Sequence, residues 1–205
     1  FRTEKAMQDH ISGVILFEET LSQNAKGGTP LRDLITASDA VIGIKVDKGA
    51  QPMALRPGET ITEGLDGLRE RLAKYFALGA RFAKWRAVIE IGKDGRPSAG
   101  AVAANSQALA RYAALCQEAN IVPIVEPELL MGGFHGIQRC YEVTEYVLRT
   151  IYKDLYEAGV QLEGTILKPN MVVAGKQCDT QPCIDETAER TIAVLRDCVP
   201  ASVPG

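Results

Sequence analysis

Ionisable side chains recur within the apolar segments of this 205-residue chain at near-constant intervals, and no other feature limits its fold so strongly. Lys45, Lys84, Glu126 and Lys168 are separated by 39, 42 and 42 residues. Each belongs to a short apolar run bounded by Gly, Pro or charge. The runs Gly13–Phe17, Val41–Val46, Phe82–Ile89, Ile121–Glu128 and Thr165–Pro169 read as buried strands. The segments between them carry helical spacing instead. Leu65–Leu78 places Leu65, Leu68, Leu72, Tyr75 and Phe76 on one face, and Asn105–Glu118 does the same with Ala108, Leu109, Tyr112 and Leu115. Gly136–Ala158 repeats Val143, Val147, Ile151 and Leu155, and Ile184–Cys198 repeats Ala188, Ile192 and Leu195. Strands alternating with helices of this length predict parallel βαβ units.

Two parallel architectures fit that alternation: a doubly wound open sheet and a closed (β/α)8 TIM barrel. Nucleotide-binding open sheets usually carry a glycine fingerprint after the first strand. Neither G-x-G-x-x-G nor G-x-x-x-x-G-K-[ST] occurs here. Gly92–Gly100 and Ala174–Gln181 read as turn-rich connectors, and no linker divides the chain. The expectation is a single α/β domain over residues 1–205, an incomplete barrel of about five parallel strands.

Residues two apart in a strand share a face. Lys45 and Asp47 therefore look the same way, as do Lys84 and Arg86, with Trp85 turned to the other side. Glu126 and Glu128 form the next pair, split by Pro127, and Lys168 ends the last run before Pro169 and Asn170. For one strand, a solvated strand end or a structural ion pair is an adequate account. Four successive strands with the same parity are harder to explain that way, because clustered charges are costly to bury unless they serve one another. Barrel enzymes build their sites at this end of the strands.

Composition narrows the function further. Hydrophobic residues make up 46% and charged residues 24%, ordinary values for a globular chain. The net charge of −3 leaves no broad basic surface for nucleic acid. No apolar run approaches the ~18 residues of a membrane span, so a soluble protein is expected. Cys116, Cys140, Cys178, Cys183 and Cys198 are odd in number. Cys178 and Cys183 could bridge or share a metal, but no second cysteine pair lies nearby and His10 and His135 are remote in sequence. Free thiols and no metal site are expected.

A lysine amine attacks a carbonyl only when neutral, and desolvation or a neighbouring cation favours that state. Lys168, beside Ile166 and Leu167, is the candidate nucleophile, with Lys84 the neighbouring charge. Glu126 is placed to move protons as a carbinolamine loses water to become an iminium. Lys45 and Arg86 suit a phosphate dianion. The residues thus predict a Schiff-base enzyme for a phosphorylated carbonyl compound.

At these positions the chain resembles the class I fructose-1,6-bisphosphate aldolases. The strings that carry the resemblance are GVILFEETL (Gly13–Leu21), GIKVDKG (Gly43–Gly49), GLDGL (Gly64–Leu68), FAKWR (Phe82–Arg86), IVPIVEPE (Ile121–Glu128) and EGTILKPNM (Glu163–Met171). The resemblance implies that Lys168 forms the Schiff base with C2 of the open-chain sugar, that Glu126 is the general acid/base, and that Lys84 orients the C4 hydroxyl for C3–C4 cleavage. Lys45 and Arg86 correspond to substrate and distal-phosphate contacts, while Glu128 and Asp47 would hold the basic groups in place. It implies no metal and no cofactor, a phosphorylated sugar as substrate, a tetramer, and a cytoplasmic or plastid location in glycolysis or the Calvin cycle. It also places the family's first strand before Phe1, and the last two strands, with the C1-phosphate loop, after Gly205. A lysine-dependent dehydratase or transaldolase-like enzyme is the rival chemistry, and a segment that binds phosphosugars or partners without turnover is the non-enzymatic alternative.

Overall fold

Three of the helices give way to a single residue in the left-handed conformation, and that turn leads the chain back toward the sheet. The computed structural model describes residues 4–205. In it, helix α1 spans Glu4–His10, β1 Gly13–Leu16, α2 Glu18–Ser22, α3 Leu31–Thr36 and β2 Val41–Lys45. A hairpin of β3 (Ala50–Pro52) and β4 (Thr60–Thr62) follows, then α4 (Leu68–Ala77), β5 (Ala80–Ile89), α5 (Ala99–Glu118) and β6 (Val122–Leu129). Helix α6 (Ile137–Glu157), a 3-10 turn at Leu162–Gly164, β7 (Ile166–Leu167) and α7 (Ile184–Cys198) complete the order. Helices α4, α5 and α6 give way to Gly79, Asn120 and Gly159, all at positive φ. After α5 and α6 the closing bonds run from Ile121 N to Cys116 O and from Val160 N to Leu155 O. Such a left-handed cap satisfies the last helical carbonyls and reverses the chain toward the sheet.

The strands lie in the order β1-β2-β5-β6-β7, and every neighbouring pair is parallel. Chain order and spatial order coincide, with the β3–β4 hairpin as an excursion outside the sheet. A doubly wound sheet reverses its strand order at a switch point. This one never reverses, as expected for consecutive staves of a (β/α)8 barrel. One face of the sheet is dry: Leu16, Ile42, Ile44, Val46, Ala83, Trp85, Ala87 and Val125 are all buried. Trp85 lies there against Tyr112 of α5 with ring centroids 5.5 Å apart, and the Tyr112 hydroxyl donates to Ala83 O at 2.7 Å. The other face carries Gly13, Gly43, Phe82, Lys84, Arg86, Glu126 and Lys168.

Several boundaries differ from those read in the sequence. The last strand is only Ile166–Leu167 rather than Thr165–Pro169, because Thr165 spends its N–H on Leu162 O to close the preceding 3-10 turn and Pro169 has no N–H to donate. Lys168 N nevertheless bonds Val125 O at 2.9 Å, which seats the lysine beside the middle of β6. Helix α5 begins at Ala99, six residues before Asn105, so the connector from Gly92 ends at Ser98. The Ser98 hydroxyl caps the helix by accepting from Ala101 N at 3.1 Å. Helix α4 starts at Leu68 rather than Leu65, because Gly64 and Gly67 hold positive φ. Helices α1, α2 and α3 and the β3–β4 hairpin were not foreseen.

Phe82 explains two glycines of the inner face. Its ring lies across β1 and β2, and a Cβ on Gly43 would overlap it, while one on Gly13 would meet it at 3.1 Å. Gly43→Ala should therefore destabilise the fold by about 1–3 kcal/mol, the usual cost of overpacking. Chemical denaturation would read the loss, and Phe82→Leu in the same chain should recover part of it. Equal stability of wild type and Gly43→Ala would show that the ring moves aside freely.

Candidate active site

Parity places the charges, and register sets which of them meet. Lys45 pairs with Lys84 across β2 and β5, Lys84 with Ile124, and Arg86 with Glu126 across β5 and β6. Lys84 thus lies one inward position below Glu126, and its ammonium rises to Glu126 Oε2 at 2.9 Å. From the other side, Lys168 Nζ donates to Glu126 Oε1 at 2.5 Å. One carboxylate therefore bridges two lysines from the two flanking strands. The Glu126 side chain is 3% exposed, Lys84 17% and Lys168 57%. Burial pushes the Glu126 pKa up, but the hydrogen bonds and charges of Lys168 and Lys84 outweigh it and hold the carboxyl below the ordinary glutamate value.

The remaining candidates form two further pairs. Arg86 Nη1 donates to Glu128 Oε2 at 2.8 Å, one step further along the same two strands. Lys45 Nζ donates to Asp47 Oδ1 at 2.5 Å, and the same oxygen accepts from Gly49 N at 3.0 Å. Lys45 is thus on the expected face, yet its ammonium turns to Asp47 rather than to the Glu126 cluster. Asp47 Oδ2 is buried and has no hydrogen-bond partner among the described residues. Four cations face three carboxylates here, so the face retains positive charge for an anionic ligand.

Three contributors escaped the sequence reading. Phe17 follows β1 on the same face, and Lys45 Nζ sits 5.8 Å from its ring centroid. The parity of Gly13 and Ile15 would have placed it there. Asn170 Oδ1 accepts from Leu129 N at 3.2 Å, tying the segment after Lys168 to the end of β6. Arg71 of α4 donates to the carbonyls of Val46 and Gly64. No local pattern announces that contact, since it joins residues 25 positions apart.

Among the described residues no His, Cys, Asp and Glu cluster could hold a metal ion, and no helix is long and apolar enough to cross a membrane. Cys183 lies at the start of α7, where its sulfur accepts from Glu186 N at 3.4 Å.

Comparisons with known proteins identify the family. A family profile described as fructose-bisphosphate aldolase class-I matches residues 1–205. A probable fructose-bisphosphate aldolase class 1 from Xanthomonas axonopodis pv. citri is 58% identical over 203 residues, covering 99% of this chain and 60% of that protein. Fructose-bisphosphate aldolase C of Carassius auratus is 51% identical over 205 residues, and the cytosolic fructose-bisphosphate aldolase 6 of Arabidopsis thaliana 52% over 194, with 56% and 54% of those chains covered. The solved aldolase of Plasmodium falciparum, in complex with TRAP and a small-molecule inhibitor, superposes with a TM-score of 0.96 at 44% identity. The match covers 98% of this chain and 58% of that one. The chain spans about 60% of the length of the first of these relatives. With a profile matched along its whole length and a sheet that superposes on a solved aldolase, this chain belongs to the class I fructose-bisphosphate aldolase family.

Proposed function

We propose that the chain supplies the Schiff-base half of an aldolase, cleaving fructose 1,6-bisphosphate reversibly to dihydroxyacetone phosphate and glyceraldehyde 3-phosphate. The observation that carries this reading is the Lys168–Glu126–Lys84 contact on one sheet face. A proton passing from Lys168 to Glu126 across 2.5 Å leaves a neutral amine and a protonated carboxyl together. The amine attacks the C2 ketone, and the carboxyl then gives its proton to the carbinolamine hydroxyl as water leaves. The iminium draws electrons from the C3–C4 bond as the C4 hydroxyl, oriented by Lys84, gives its proton to the Glu126 carboxylate that dehydration has left. The C4–C6 aldehyde departs. The Glu126 carboxyl returns that proton to C3 of the enamine, and water adds to the resulting iminium to release dihydroxyacetone phosphate and the Lys168 amine.

Lys45 and Arg86 hold the substrate and its distal phosphate, with Asp47 and Glu128 fixing their orientation. In this reading residues 1–205 are one portion of a single barrel, whose other staves lie outside the segment. The working protein is a cytoplasmic or plastid enzyme that assembles as a tetramer. Borohydride reduction of the full-length gene product with dihydroxyacetone phosphate tests the proposal. A stable adduct on the Lys168 peptide is expected; an unmodified Lys168 in an otherwise folded protein would exclude the mechanism.

A further inference from the structure

We infer that Arg71 is a positioning residue for the Lys45–Asp47 pair and, through it, for the substrate phosphate, an inference that rests on the reading above. Arg71 stands in the first turns of α4, outside the sheet. Its Nη1 donates to Val46 O at 2.9 Å and its Nη2 to Gly64 O. Val46 is the residue between Lys45 and Asp47. Its N–H is already bound to Lys84 O at 3.1 Å, so β5 grips this residue from one side and Arg71 from the other.

The two carbonyls belong to two loop segments that are bonded to each other. Lys48 N donates to Glu63 O at 2.8 Å, and Glu63 N to Gly49 O at 3.1 Å. Gly64 has φ +131°, and a Cβ there would lie 2.9 Å from Lys48 N and 3.2 Å from the Cα of Asp47. The guanidinium therefore clamps the outer side of a junction whose inner side presents Asp47, on which the Lys45 ammonium rests.

Both hydrogen bonds go to backbone carbonyls rather than to a carboxylate, so geometry is what this cation provides. A planar fork sets the separation of two acceptors; a lysine ammonium does not. Among the described residues Arg71 Nε, which is buried, has no hydrogen-bond partner, a cost that packing at this spot must offset. Releasing the clamp frees the Val46–Gly49 segment, and the Lys45 ammonium moves with it. Glu126 on β6 and Lys168 beyond β7 share neither of the two Arg71 bonds, and Lys84 meets Val46 only through its backbone carbonyl.

The test is steady-state kinetics of Arg71→Lys, Arg71→Met and Gly64→Ala in the full-length gene product, with inorganic phosphate as the probe of the anion grip. KM for fructose 1,6-bisphosphate should rise ~10-fold or more, with kcat within about threefold of wild type, since misplacement of a binding group costs up to ~10²-fold. Inhibition by phosphate should weaken by a similar factor. Arg71→Lys should fall between wild type and Arg71→Met, and trapping by borohydride at saturating dihydroxyacetone phosphate should stay complete. Wild-type KM and phosphate inhibition in Arg71→Lys and Gly64→Ala would overturn the inference. So would a fall in kcat and trapping that simply tracks lost folded protein. If wild type itself is not trapped, the Schiff-base reading fails first and this inference falls with it.

Discussion

Replacing Lys168 with Ala in the full-length gene product should abolish both cleavage and borohydride trapping while leaving the fold standing. The expected loss in kcat is of order 10⁴–10⁶, the range that follows removal of a covalent nucleophile. Lys168 is the one lysine of the cluster that combines contact with a buried carboxylate and an accessible side chain, 57% exposed against 17% for Lys84. Its own burial contributes little to stability, so the variant should denature close to wild type. Removing it leaves Glu126 still paired with Lys84 at 2.9 Å, and so the carboxylate is not stranded without a partner. Residual trapping at Lys84 in the variant would show that the nucleophile had been assigned to the wrong strand.

The sequence made the faces of the sheet legible and left the reach of individual side chains obscure. Alternation alone separates Trp85, buried under α5, from Lys84 and Arg86 on the open face, because a pleated strand allows no other arrangement. Intervals of about 42 residues likewise predicted neighbours on consecutive staves. Register was not readable. It puts Glu126 opposite Arg86 rather than Lys84, and only the length of the lysine side chain brings Lys84 back to Glu126. The Lys45–Asp47 pair was present as an i,i+2 pattern, but nothing local told whether Lys45 would turn to its own strand or toward Glu126. The β3–β4 hairpin was invisible for another reason: Ala50–Pro52 is exposed throughout and Thr60–Thr62 is half polar, so neither gives an apolar period. Asn105, buried on α5, accepts from Thr62 N at 3.2 Å and donates to Thr60 O at 2.8 Å, while the Thr60 and Thr62 hydroxyls donate to Val88 O and Arg86 O of β5. A lone Asn inside an alanine-rich helix does not announce a partner 45 residues earlier.

Glu126→Gln should slow iminium formation by ~10²–10⁴, as general acid–base groups do, with KM for the bisphosphate nearly unchanged. The amide keeps the size of the carboxyl and can still accept one hydrogen bond, but it can neither take the Lys168 proton nor return one to the carbinolamine. Single-turnover trapping separates this from weakened binding: the adduct should form slowly yet reach the same final yield. The substitution also removes a pH-dependent contribution to stability. Because the folded pKa of Glu126 is held below its ordinary value, the stabilisation is fully present above the unfolded value of ~4.3 and disappears as pH falls through the lower folded pKa. Wild type should therefore be the more stable form at neutral pH, and the gap to Glu126→Gln should narrow below about pH 4. Lys84 and Lys168 would then face each other across a neutral amide at neutral pH, two cations without the charge between them. If the variant formed adduct at the wild-type rate, Lys168 would be losing its proton to another group, and Glu126 would be only the pillar that holds the two lysines apart.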